Sequence, residues 1–133
     1  MPRVALKRAC MERLTQVAVE HPAGHQGKLA ARFILRTPSA ERIELMFEKG
    51  DASSANLWVC RRFVTGLLDA GIPYRYAPGS TAFKIKAADG KPAYGRHSAL
   101  KTMDQLATDD LICFGLRTVG DLDTILSELR AHP

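Results

Sequence analysis

The chain has 133 residues, of which 46% are hydrophobic and 25% charged, with a formal net charge of +5. These are the values of an ordinary globular protein, and the length fits a single small α+β domain spanning 1–133. The three cysteines, Cys10, Cys60 and Cys113, are far apart in the chain; no C-x-x-C pair is present, which argues against a disulfide framework and for a reducing, cytoplasmic setting.

No apolar run approaches the ~20 residues needed to cross a bilayer, so no membrane partner is expected. Near the N-terminus Lys7, Arg8, Glu12 and Arg13 interrupt the apolar residues, so no secretory signal is expected either. The charge is lopsided: residues 1–101 carry +9 and residues 102–133 carry −4. A basic body with an acidic end suits a polyanionic partner, or pairing with a second copy.

In chain order, Leu6, Cys10, Leu14 and Val17 in RVALKRACMERLTQVAVE recur at helical spacing and predict an N-terminal helix over 3–20, with Arg3, Lys7, Arg8 and Arg13 mostly off its apolar face. HPAGHQG (21–27) ends it. ARFILRT (31–37) and RIELMFEK (42–49) read as strands around the turn PSAE, the first with a short helix over 28–36 as its competitor. In the second, Ile43, Leu45 and Phe47 face one way and Glu44, Met46 and Glu48 the other.

Leu57, Cys60, Val64, Leu67 and Leu68 are spaced as one helical face that Gly71 would close as the C′ residue, with IPYRY following as a strand; the first residues of the segment, NLWV, could instead be strand. In TAFKIKAADGKPAYG, Phe83, Ile85 and Ala87 alternate with Lys84, Lys86 and Ala88, and Asp89-Gly90 supplies a hairpin turn. Pro92 makes the return strand short or peripheral. Ser98 is placed to cap a helix over 99–107, LICFGL (111–116) reads as a buried strand, and Thr118 with Asp121 opens a C-terminal helix as a capping box. From residue 42 the order is βαββαβ, the split-βαβ pattern, with helices on one face and further helices at both ends.

No stretch forms a specific catalytic or cofactor motif, so no cofactor is expected and enzymatic activity stays open. The strongest functional signal is the basic–aromatic segment 74–101. Arg75, Lys84, Lys86, Lys91, Arg96, His97 and Lys101 lie in it, interleaved with Tyr74, Tyr76, Phe83 and Tyr94. Lysine and arginine neutralise phosphates and exposed rings stack on bases, so DNA or RNA is the expected partner; a solvated hairpin face is the structural alternative. Within this segment Gly95, Arg96, His97 and Ser98 precede a helix start and form a candidate anion corner, against simple capping by Ser98.

Three further groups carry alternatives. Glu44, Glu48 and Asp51 would be the acids of a metal-dependent nuclease, although the acid-x-Lys spacing such a site needs is missing. His21 and His25 have half of a zinc-site spacing without partner cysteines, so no metal is assigned. Cys113 with His97 would be a nucleophile pair, but LICFG is an apolar setting in which a thiol is inert. Trp58 reads as a core anchor or, beside Arg61 and Arg62, as part of an interface. A protein-interaction or homodimer module is the remaining alternative.

Overall fold

The computed structural model describes residues 2–25, 27–39, 41–83, 85–86 and 88–132. Helix α1 (Arg3–Val17) leads into β1 (Val19–Glu20), β2 (Ala30–Arg36), β3 (Arg42–Glu48) and β4 (Asn56–Cys60). β5 (Tyr74–Ala77), the small pair β6 (Ile85–Lys86) and β7 (Pro92–Ala93), β8 (Leu111–Gly115) and α2 (Val119–Arg130) follow. Six strands form one antiparallel sheet in the order β1-β2-β3-β4-β8-β5, and β6 pairs with β7 apart from it. The fold is α+β, with one helix at each end of the chain.

The register divides the sheet into two faces. Met46 pairs with Trp58, Trp58 with Cys113 and Cys113 with Arg75, so these side chains share a face with Arg32, Glu44 and Glu48. The opposite face presents Phe33, Leu35, Ile43, Leu45, Phe47, Leu57, Val59, Ile112 and Phe114, all buried. It takes the apolar stripes of both helices: Leu6, Cys10 and Leu14 from α1, and Leu122, Ile125, Leu126 and Leu129 from α2. The first face is covered instead by the excursion 78–110, through buried Ala99, Leu100, Met103 and Leu106. Arg32 Nε anchors that cover by donating to the Ala99 carbonyl at 2.8 Å.

The connectivity differs from βαββαβ in two places. The expected helix over 57–68 is strand β4 followed by 3-10 turns at Arg61–Phe63 and Thr65–Leu67, with Gly71 (φ +84°) just beyond them. β4 is central and buried on both faces, so its apolar run is continuous and lacks the alternation that marks a half-exposed strand. The expected helix over 99–107 is a 3-10 turn at Ser98–Leu100 and further turns. Here the amides of Gln105 and Leu106 donate to the Glu44 carboxylate at 2.7 and 3.2 Å, and so are unavailable to carbonyls one turn back.

α1 stops at Val17, and Lys7, expected on its outer side, is buried. Its ammonium donates to the Gly50 carbonyl and to Ser53 Oγ. Among the described residues the hairpin 82–94 pairs Ile85 with Ala93 and Lys86 with Pro92. Ala87, like Lys84, lies outside the described residues. The C-terminal capping box is present: Thr118 Oγ1 accepts from the Asp121 amide at 3.1 Å. Asp121 Oδ2 in turn accepts from the Arg117 amide at 2.9 Å.

Candidate functional site

A cleft of about 530 Å³ opens where the excursion meets the free end of the sheet. Its floor is Trp58 on β4, only 4% exposed. The indole Nε1 donates to Glu48 Oε2 at 2.9 Å, which fixes both side chains. Arg75 on β5 lays its guanidinium over the indole, 5.1 Å from the ring centre, a cation–π arrangement. Asn56 stands one pleat from Trp58 on the same face, and Thr81, Gly95, Arg96 and His97 form the opposing wall.

His97 is oriented by its own turn. Its Nδ1 accepts from the Ala99 amide at 3.1 Å and caps the 98–100 turn, the role expected of Ser98. The neutral ring therefore carries its proton on Nε2. That nitrogen faces Glu48 Oε1 across 4.0 Å, too far for a hydrogen bond. The same tautomer recurs at His21 and His25. Each accepts a backbone amide at Nδ1, from Ala23 and Arg32 respectively, and points Nε2 at a glutamate, Glu44 at 2.6 Å and Glu20 at 3.1 Å. The two histidines of the half-zinc spacing are thus each committed to a separate carboxylate.

Arg96 is turned inward. Its two terminal nitrogens donate to the carbonyls of Ala77 (2.9 Å), Pro78 (2.9 Å), Asp109 (2.7 Å), Ala107 (3.2 Å) and Leu106 (3.4 Å). The amides of Gly95, Ala99, Leu100 and Lys101 also donate within the protein. The expected anion corner therefore has both terminal nitrogens of its guanidinium and these amides committed to holding the excursion closed, while Arg96 Nε is buried without a hydrogen-bond partner among the described residues; a three-residue turn supplies no helix dipole.

The other expected residues divide. Arg75 and His97 line the cleft. Lys91 and Lys101 are exposed but away from it. Lys84 lies outside the described residues, and Lys86 is placed only as part of β6. Tyr94 packs edge-on against Phe83 and donates its hydroxyl to the Ala107 carbonyl at 2.7 Å, so it is structural. Tyr74 and Tyr76, on the last strand of the sheet, are 44% and 45% exposed. Arg61 stacks over Tyr76 at 5.1 Å.

The three carboxylates do not assemble. Glu44 is buried, and its oxygens take His21 Nε2 and the amides of Gln105 and Leu106. Glu48 lies four residues on, about 13 Å along the strand. Asp51 is exposed and belongs to a separate hollow of about 320 Å³, beside Arg3, Arg8 and Lys49 on the α1 side. Among the described residues no group of three or more His, Cys, Asp or Glu is arranged to hold a metal. Cys113 is buried, and burial pushes its thiol up to about 12, with Glu48 adding to the rise and Arg75 opposing it.

Nothing local in the sequence joins Trp58, Glu48 and Asn56 to Arg75 and His97; Trp58 is expected beside Arg61 and Arg62, and Glu48 beside Glu44 and Asp51. The signal was present in NLWVC: read as a strand, it puts Asn56, Trp58 and Cys60 on one face. Comparisons of the chain with family models, with curated proteins and with solved structures gave no match. Among the described residues no helix is long and apolar enough to cross a membrane.

Proposed function

We propose that this protein binds single-stranded nucleic acid across its terminal strand β5 and the adjoining cleft. The observation that carries the reading is the pair of arginine–aromatic stacks that flank this edge strand on its two faces, Arg75 on Trp58 on the cleft face and Arg61 on Tyr76 on the other. Neither arginine forms an ion pair among the described residues. Arginines without carboxylate partners meet phosphates at little cost, and the exposed rings of Tyr74 and Tyr76 offer sequence-tolerant stacking. Arg62 is a weaker contributor, because Asp109 Oδ2 lies 3.5 Å from its Nε.

The test is fluorescence anisotropy of a labelled single-stranded oligonucleotide between about 50 and 200 mM salt, the range over which counterion release is read. Affinity falls with salt, and Arg61→Ala and Arg75→Ala each lower the salt slope by about one. Affinity that is flat with salt, or unmoved by the double substitution, removes the reading.

β5 also supports a second reading, in which another chain adds to the sheet. Among the described residues it pairs only with β8, so its outer edge ends the sheet, and unpaired strand edges template further pairing. Sedimentation of a concentrated sample decides this: a strict monomer counts against self-association through β5.

A further inference from the structure

The cleft contains an acceptor and a donor that face each other without meeting. Glu48 Oε2 is occupied by the Trp58 indole, while Oε1 takes no hydrogen bond among the described residues. His97 Nε2 carries a proton by virtue of the amide bound at Nδ1. The two stand 4.0 Å apart. Both are held from behind, Glu48 by Trp58 and His97 by its turn, so they cannot simply collapse onto each other. A ligand that donates to Oε1 and accepts from Nε2 with adjacent atoms satisfies both.

Adjacent donor and acceptor atoms of this kind form the amidine edge of a 4-aminopyrimidine or a 6-aminopurine. The exocyclic amino group donates, and the neighbouring ring nitrogen accepts. In the pose that Arg75 sets through the attached phosphate, a uracil- or hypoxanthine-type edge puts a carbonyl oxygen against the carboxylate and an N–H against an N–H; it reaches Glu48 with its own N–H only by sliding along its edge or turning over, which carries the phosphate off Arg75. Arg75, at the mouth of the cleft over Trp58, is placed for the attached phosphate.

We infer that the cleft reads one unpaired amino-bearing base, cytosine or adenine in type, through Glu48 Oε1 and His97 Nε2–H. The inference rests on the nucleic-acid reading above and adds a base preference to it. The same edge is carried by a free nucleotide, which makes the source of the base a matter for the experiment.

Oligo-dC is compared with oligo-dU, and oligo-dA with oligo-dI, following both anisotropy and the emission of Trp58, the one tryptophan in the chain. CMP and UMP are titrated alongside. The wild-type protein binds the amino-bearing member of each pair at least about fivefold tighter, the lower end of what one paired contact discriminates. Glu48→Gln, which places an amide where the carboxylate was, brings that ratio close to one. His97→Asn does the same, because asparagine still caps the turn but lacks the distal N–H; thermal melts confirm that both variants are folded. Equal, salt-dependent binding of all four oligomers overturns the base site and leaves the polyanion surface standing. A response to CMP over UMP without oligonucleotide binding keeps the edge recognition and overturns the strand as its source. Absence of any response to oligomers or nucleotides overturns both.

Discussion

Arg96 donates to the Asp109 carbonyl at 2.7 Å and, with the same terminal nitrogen, to the Ala77 carbonyl at 2.9 Å. One side chain thereby ties the end of β5 to the loop that enters β8. The two loops approach closely beside it. A Cβ on Gly79 would lie 2.4 Å from the Thr108 carbonyl oxygen, and the Gly79 amide donates to Asp110 Oδ1 at 2.7 Å. A guanidinium is suited to this position because its donors spread in a fixed plane.

Replacing Arg96 by alanine strands several half-buried carbonyls. The expected loss is about 3 kcal/mol, seen as a fall of roughly 10 °C in melting temperature. Arg96→Lys recovers only a minor part, since one ammonium cannot reach all five oxygens. Thermal melts of both variants check this. An unaltered melt for Arg96→Ala would return this residue to the anion-binding role expected of it with Gly95, His97 and Ser98.

Glu44 is the equivalent tie on the other side of the excursion. Glu44→Ala leaves His21 Nε2 and the amides of Gln105 and Leu106 without an acceptor inside the protein. Denaturant unfolding should show a loss of about 3 kcal/mol. Oligonucleotide binding by the folded fraction is retained, because Glu44 lies outside the cleft.

The three buried thiols make the fold sensitive to alkali. Burial pushes Cys10 up to about 11, with Asp123 and Asp121 adding to the rise. Burial likewise raises Cys60 to about 12, where Asp109 adds and Arg62 opposes, and Cys113 to about 12. All three folded values lie above the ordinary thiol value of 9.0. Their contribution to stability is therefore complete below pH 9 and is lost as pH rises towards 11–12. Lys7, held below its ordinary value chiefly by burial, pushes the other way, so three thiols, joined by the Tyr94 phenol that burial also raises against the opposing Arg96, act against one ammonium. Denaturant midpoints measured from pH 8 upward should fall. A thiol reagent at pH 8 should label the native protein slowly and the unfolded protein at all three cysteines.

The cap of α2 gives a milder, acid-side effect. Burial opposes ionisation of Asp121, but hydrogen bonds from the Arg117 amide and guanidinium and from the Thr118 amide outweigh it and hold the carboxyl below its usual range. Its contribution is present above the ordinary aspartate value and lost as pH falls through the depressed one. Thr118→Ala removes the acceptor for the Asp121 amide and should cost about 1 kcal/mol at neutral pH, read from denaturant unfolding.

The parts of the fold legible in the sequence are those where local pattern and burial agree. β3 alternates because its two faces differ chemically, apolar toward the helices and Glu44-Met46-Glu48 toward the excursion. α2 carries both a helical stripe and its own cap. The β4 segment reads as helix with strand only as its alternative over NLWV, because a strand buried on both faces has no polar side to report. The segment 99–107 reads as a helix because nothing local shows that Glu44, about sixty residues earlier, takes the amides of Gln105 and Leu106. The same distance effect hid the site. Arg75 and His97 were visible as cation and histidine, but Glu48, Asn56 and Trp58 join them only through the β3-β4-β8-β5 order. Arg96 was visible as a charge, and only the fold shows that carbonyls surround it.

The most direct test follows the intrinsic fluorescence of Trp58 while single-stranded oligo-dC is added at low and moderate salt. Trp58 floors the cleft beneath Arg75 and reports on it without a label. The expected result is a saturable change in emission whose midpoint moves to higher oligonucleotide concentration as salt is raised, and which Arg75→Ala weakens. An emission spectrum that stays constant through saturating oligonucleotide, with no change in anisotropy at either salt concentration, would contradict nucleic-acid binding at this site.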